Sequence, residues 1–441
     1  MAARPRRRSN AMRLILTAVT VIVLCAAPAT ASDSLSTLYH FGGPPRDGAS
    51  PSGGLMIDSA GVIYGTTQFA GKYCDGRHGF FGCGTVYRLT PDKGTYVEKV
   101  LHSFGGRADG SGPNGGLVED ASGALYGTTF WGGASGQGTV FKLTPSHHEY
   151  AESVLHSFGG TGDGASPGSG LVIGPDGALY GTTEGGGLYS CLNGSSCGTV
   201  FKLTPGNSGY TESVLYAFQG GTDGYSPSSA LTLDASGNIF GVTGGGGGNG
   251  CGGDGCGVVF ELSPSGSTYA ETILYHFLGN PNDGSAPDSP LIEDSSGVLY
   301  GTTYNGGPYE MGTIFSLTPG SNGYVENVLY GFTLNYIGTS DGANPVGPLV
   351  LASSGTLYGA TYNGGNGVAA CGFWRCGIVY SLVPSNGAYA ENILYNFEDN
   401  GDGYYPSGGL TADASGNLYG STREDVRLCT PDCGTIFRLK K

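Results

Sequence analysis

The sequence predicts an all-β fold, a seven-bladed β-propeller of four-stranded antiparallel blades, on three observations. First, one aromatic recurs seven times, at Phe41, Phe104, Phe158, Phe218, Phe277, Phe332 and Phe397, at intervals of 54 to 65 residues. Second, each interval carries short runs that alternate with period two, as strands do. Such a four-stranded meander cannot bury both faces alone and must stack on copies of itself. Third, the last copy stops after its third strand, Gly434 to Leu439, and an isolated fourth strand, Leu35 to Phe41, stands near the beginning. Pairing the two completes blade seven and closes the ring, which removes two bare edges at once. An open solenoid would leave both exposed.

The copy at 101–154, LHSFGGRADGSGPNGGLVEDASGALYGTTFWGGASGQGTVFKLTPSHHEYAESV, shows the unit most plainly. Its first strand, GLVED, stops at Asp-Ala-Ser-Gly, and its second, ALYGTT, at a glycine-rich loop. The third, GTVFKLT, stops at Pro145, and the fourth, YAESVLHSF, at Gly-Gly. Each stop is a turn signal, where glycine supplies positive φ and proline ends the ladder. Every copy also has an Asp-Gly with a proline three residues beyond the glycine, from Asp47/Pro51 and Asp109/Pro113 through Asp163/Pro167, Asp223/Pro227, Asp283/Pro287 and Asp341/Pro345 to Asp402/Pro406. A leucine follows at Leu55, Leu117, Leu171, Leu231, Leu291, Leu349 and Leu410, always after Gly, Ala or Pro. Small residues there suit an innermost strand, where neighbouring units crowd around an axis.

Residues 1–31 form a basic segment, an apolar run from Leu14 to Ala27, and Ala29-Thr30-Ala31. That is the order of a secretory signal peptide, and the run is short for a membrane span. The expected organisation is therefore a signal peptide over 1–31 and one propeller domain over 32–441, with no membrane insertion after cleavage. Cleavage removes five arginines and no acids, so the formal charge of −15 becomes −20. A surface this acidic excludes nucleic acid and anionic membranes as partners.

Apart from Cys25, ten cysteines fall as Cys74/Cys83, Cys191/Cys197, Cys251/Cys256, Cys371/Cys376 and Cys429/Cys433. Each pair lies between the second and third strands, its second member just before the glycine that opens the third. An export signal and an even count predict five disulfides, each within its own loop. Zinc is the competing reading, but no clustered histidine or second pair completes four ligands. No metal and no cofactor is expected.

The repeat, as in VLYGF, DGANP, GTLYGATYNGG and GTVFKLTP, resembles the GloVer-type tandem repeat of bacterial "choice-of-anchor" surface and secreted proteins. The resemblance spans nearly the whole mature chain. It implies a secreted bacterial propeller and brings no catalytic residues. Many such relatives carry a C-terminal sorting segment, whereas this sequence ends Phe437-Arg438-Leu439-Lys440-Lys441. Release into the periplasm or medium is expected as readily as surface attachment.

The Asp-Gly aspartates are expected to accept backbone hydrogen bonds in turns, being spread too far around the ring to share a calcium ion. Glu98, Glu152, Glu212, Glu271, Glu326 and Glu391 lie on the outermost strand, where edge charges resist aggregation. His40, His102, His156 and His276 share a strand position with Tyr and Ser of other copies and are expected to pack. No nucleophile elbow, phosphate loop or dinucleotide fingerprint appears in a credible context.

The loops between strands two and three diverge most in copies six, seven and one, which ring closure makes neighbours. They hold Phe373, Trp374 and Arg375; Arg423 and Arg427; and Lys72, Arg77, His78, Phe80 and Phe81. An aromatic and basic patch on an acidic protein points to recognition; drift in tolerant loops is the competing account. The expected function is a secreted, monomeric, non-enzymatic module that binds a glycan or a cell-surface protein through these loops. A propeller enzyme acting on glycans, hydrolase or lyase, is the alternative, and a purely structural envelope protein the third.

Overall fold

The computed structural model describes residues 34–43, 47–71, 82–147, 149–159, 162–191, 194–248, 250–266, 268–279, 281–333, 340–366, 371–398, 400–424 and 433–441. They form seven four-stranded antiparallel sheets around one axis. The strand Ser34–His40 pairs with Thr435–Lys440, in register from Ser34↔Lys440 to His40↔Thr435 with one bulge. The first and last stretches of the propeller thus share blade seven, and the ring is closed as the sequence predicts.

The apolar core lies between blades, and the repeat motif is the code for that seam. The recurrent phenylalanine ends one blade's fourth strand and is fully buried. Its ring meets edge-on the third-strand aromatic of the next blade, as in Phe104–Phe141 at 5.1 Å and Phe397–Phe437 at 5.2 Å. The closing seam does the same with Phe41–Tyr87 at 5.0 Å. Such edge-to-face pairs favour the fixed spacing of neighbouring sheets. The glycine of LYGTT makes room for that aromatic: a Cβ on Gly127 would lie 2.6 Å from Phe141 Cζ.

The proline after Asp-Gly has a partner of the same kind. A Cβ on Gly138, which opens the third strand of blade two, would meet Pro167 of blade three at 2.6 Å; Gly434 meets Pro51 of blade one at 2.5 Å. The residue before the proline is left-handed in every blade (Ser50 φ 53°, Gly112 φ 64°, Tyr405 φ 57°). That kink aims its N–H at the preceding blade, where it donates to the carbonyl of Cys433, Cys83, Gln137, Cys197, Cys256, Met311 or Cys376. Where a cysteine pair exists, its second member is therefore the acceptor that clamps the next blade.

The first strands depart from uniformity. They run Gly48–Ile57, Ala343–Leu351 and Tyr404–Ala412 in blades one, six and seven, but shrink to Val118–Glu119, Val172–Ile173, Thr232–Leu233 and Ile292–Glu293 in the others. The reason is a bulge between proline and leucine, bridged in three blades (Ser52/Met56, Val346/Val350, Pro406/Leu410) and splitting the strand in four. The bulge swings small residues into the axis, where blades touch backbone to backbone: a Cβ on Gly115 would meet Ser169 at 2.4 Å.

The aspartates of Asp-Gly turn out to organise the linkers. Asp47 accepts the Gly42 N–H at 2.9 Å and the Tyr39 hydroxyl at 2.7 Å. Asp109 bonds the Gly105 N–H and His102 Nε2, both at 3.1 Å. The glutamates correct the expectation of an exposed edge. Glu98, Glu152, Glu212, Glu271, Glu326 and Glu391 each keep one carboxyl oxygen buried with no hydrogen-bond partner among the described residues. They point into the seam because Glu98 pairs across the ladder with the fully buried Leu89 and shares its face. Burial, and then the charge of Asp47, Asp223, Asp283 and Asp341, pushes Glu98, Glu271, Glu326 and Glu391 up to about 7.

Three disulfides are seen, Cys191–Cys197, Cys251–Cys256 and Cys371–Cys376, each within its own loop. Cys83 and Cys433 are also disulfide-bonded; Cys74 and Cys429 lie outside the described residues, as does the whole 1–31 segment. No helix among the described residues is long and apolar enough to cross a membrane.

Candidate functional site

The strand order places the loops between strands two and three, and the linkers between blades, on one face; the tight hairpins lie on the other. On the axis a cavity of about 570 Å³ is lined by all seven blades, within the size range of ligand pockets. Two positions per copy supply its side chains. One follows the proline, at the bulge: Ser52, Asn114, Gly168, Ser228, Asp288, Val346 and Ser407. The other follows the LYGTT strand, where the chain turns off toward the loop face: Gln68, Phe130, Glu184, Gly244, Tyr304, Tyr362 and Arg423. Of this second set Gln68, Glu184, Tyr362 and Arg423 line the cavity.

The threonines that end this strand are all buried, and their hydroxyls bond inside the fold except that of Thr302, which has no partner among the described residues. Thr128 donates to Ser169 O of the next blade at 2.7 Å, and Thr182 to Ser229 O at 3.0 Å. The strand thus fixes where the next side chain emerges, without specifying what it is.

Glu184 lies over Gly168, whose missing side chain leaves it space: a Cβ there would be 2.2 Å from Glu184 Oε1. Burial pushes its carboxyl up to about 7. Asp288 is raised to about 6 by the protein encircling it, with the Ser289 hydroxyl donating at 3.2 Å in the opposite sense. Its side chain is open to the channel, so channel water offsets part of that rise. Tyr304 lies near enough to feel Tyr362, Asp288 and Arg423 electrostatically. Tyr362 stacks flat on Tyr405, centroids 4.6 Å apart and planes at 9°.

The loop residues singled out from sequence separate into four groups. Arg423 is brought to the cavity wall. Trp374 is 48% exposed on the short 3-10 turn Gly372–Trp374, which also carries Phe373. Arg375 is 6% exposed and donates from Nη1 to Gly365 O at 2.9 Å, so its guanidinium is engaged within its own loop. Lys72, Arg77, His78, Phe80, Phe81 and Arg427 lie outside the described residues. Trp131, in blade two, covers Gly112, where a Cβ would be 2.6 Å from its ring. Sequence reasoning missed Glu184 and Asp288. The signal was present: the residue after LYGTT differs among nearly all copies while the strand before it scarcely changes. Among the described residues no group of His, Cys, Asp and Glu is arranged to hold a metal ion.

The family model described as the Gloeobacter/Verrucomicrobia repeat matches residues 26–191 and 249–441. No curated protein matches the chain. Among solved structures, a fungal alcohol oxidase of the AA5 family in complex with copper is similar at 12% identity and TM-score 0.54, covering 92% of this chain and 76% of its own. A Bacteroides uniformis protein provisionally assigned as a 6-phosphogluconolactonase is similar at 14% identity and TM-score 0.49, covering 80% and 95%. A Lactobacillus plantarum protein is similar at 12% identity and TM-score 0.46, covering 86% and 99%. At 12% identity the likeness to the oxidase shows the fold alone.

Proposed function

We propose, from the premise that this chain belongs to the Gloeobacter/Verrucomicrobia repeat family, that it is an exported recognition module whose ligand, a glycan or a peptide segment, enters the axial cavity from the loop face. One observation carries the reading. The single position that varies after an otherwise repeated strand delivers Gln68, Glu184, Tyr362 and Arg423 to one cavity. A strand that scarcely changes among seven copies gives no packing reason for the residue after it to differ in nearly all of them. On this reading Trp374, an exposed aromatic on the loop of blade six, adds a contact on the loop face. The disulfides fit export into an oxidising compartment.

A glycan and peptide array, read with the mature chain, tests this. The expected result is a ligand whose signal falls at least tenfold in Arg423→Ala and less in Trp374→Ala. A ligand unaffected by Arg423→Ala would place recognition elsewhere. The second reading, a hydrolase or lyase acting on glycans, is favoured by Glu184 and Asp288, two carboxyls in one cavity that are both raised above the ordinary carboxylate range. It requires turnover of an array ligand that Glu184→Gln abolishes while leaving binding in place.

A further inference from the structure

The axial cavity carries charge of both signs on different blades. Glu184 stands on blade three and Asp288 on blade five, while blade four, between them, contributes only small groups, Gly244 and Ser228, at the two variable positions. Arg423 stands on blade seven, with the amide and hydroxyl side chains of Gln68, Ser52 and Ser407 beside it on the neighbouring wall. The poles do not neutralise each other. Among the described residues no hydrogen bond or ion pair engages the Arg423 guanidinium or the Glu184 carboxyl, and Asp288 has only Ser289. Neither acid is pulled down by the arginine; burial dominates both. Opposite charges set on different blades of one cavity, with no protein partner joining the two poles, suit a ligand that bridges them.

We propose that the axial cavity binds a zwitterion, a short peptide with both termini free, its ammonium between Glu184 and Asp288 and its carboxylate on Arg423. The proposal rests on the recognition reading above and names its ligand class. A guanidinium presents paired donors that match a carboxylate's two oxygens, which a point-charge cation would not. The remaining wall is largely backbone at Gly53, Gly54, Gly115 and Gly116, whose amide groups suit a peptide's own. Among the described residues the one aromatic ring lining the cavity, Tyr362, already stacks on Tyr405, which leaves a sugar little flat surface to lie on.

The test is isothermal titration of the mature chain with glycine through pentaglycine at about pH 7.5, above the raised values of both acids and below that of a peptide's α-amino group, in low salt. Charge separation grows by roughly 3.5 Å per added residue, so affinity should peak at one length rather than rise steadily. N-acetylation or C-amidation of the best peptide should each weaken it at least tenfold. In Arg423→Gln the acid and amide should bind alike; in Glu184→Gln combined with Asp288→Asn the free and acetylated peptides should. Equal binding of capped and free peptides would overturn the zwitterion and leave the recognition reading standing. So would failure of the whole series while an array ligand still depends on Arg423. An absence of any Arg423-dependent ligand, array or series, would overturn both. Unfolding curves of the variants, expected to match the wild type, separate lost binding from lost structure.

Discussion

The outer seams of this ring and its axis are built from the same repeat, and they treat it in opposite ways. At the seams, the blades repeat one solution: phenylalanine on aromatic, proline on glycine, aspartate on Tyr or His and, in six of the seven, glutamate turned inward. At the axis, the position after LYGTT carries glutamine, phenylalanine, glutamate, glycine, tyrosine, tyrosine and arginine in turn. Repetition serves the fold, since each blade must fit the next identically for the ring to close. Departure from repetition marks the place free of that requirement. Even the one irregular seam is instructive. Where blade seven takes its fourth strand from the beginning of the propeller, Leu35 pairs with Leu439 in the place that glutamate holds elsewhere. Tyr395 still donates to Asp402 there, at 2.9 Å.

The contrast can be broken most severely at the closing seam. Deleting residues 32–41 removes a strand and the fully buried Phe41, and leaves Thr435–Lys440 as a bare edge. Loss of the folded monomer is expected, by light scattering and circular dichroism, because neighbouring blades depend on one another. A monomer with unchanged melting temperature would contradict ring closure.

The axis breaks next, through its backbone contacts. A Cβ on Gly408 would lie 1.8 Å from Gly53 O, whereas one on Gly54 would reach only Gly408 O, at 3.7 Å. Gly408→Ala should therefore cost about 3 kcal/mol in chemical unfolding, and Gly54→Ala within about 0.5 kcal/mol. Equal costs would mean that the blades do not meet there as described.

A smaller effect belongs to the cysteine loops. Replacing Cys191 and Cys197 by Ser should cost at most about 2 kcal/mol, since so short a loop loses little entropy. The acceptor carbonyl of Cys197 survives the change, so the seam should hold. Mass mapping of the unreduced chain should find no bridge between blades.

The buried glutamates sharpen the comparison by pH. Their folded values are raised, to about 7 at Glu98, Glu271, Glu326 and Glu391, so the folded chain holds protons that the unfolded chain releases. Their stabilisation is full below about 4.5 and is lost as pH rises through 7. Asp109 and Asp163, lowered against burial by His102 and His156 and by backbone N–H groups, act oppositely and lose theirs in acid. The melting temperature should thus be several degrees higher at pH 5.5 than at pH 8.5. Replacing all six seam glutamates by glutamine should flatten that difference, whereas a profile that rises toward pH 8.5 would refute the assignment.

Much of the fold is legible in the sequence because seam contacts repeat and so leave a period. Phe104, Pro113, Leu117 and Gly127 announce themselves by recurring, and the unmatched Leu35–Phe41 run announces closure. What repeats without a polarity cue is less legible. A glutamate on an outer strand looks like a solvated edge charge, and only its ladder pairing with Leu89 turns it inward. The split of the first strand in blades two to five depends on how a bulge is bridged across space. Glu184 and Asp288 were hidden for a different reason: neither sits in a chemical motif, and only the comparison of copies exposes them, at the position after LYGTT for Glu184 and after the proline for Asp288.

The most direct measurement is to level the axis. A variant carrying Gln68→Gly, Glu184→Gly, Tyr362→Gly and Arg423→Gly gives four copies the residue that blade four already has at Gly244. Its binding to the glycan and peptide array, compared with the wild type, tests whether function sits where the copies differ. The account predicts an intact ring, closed by the same strand, with the array signal lost. A levelled axis that still binds as the wild type does would contradict it.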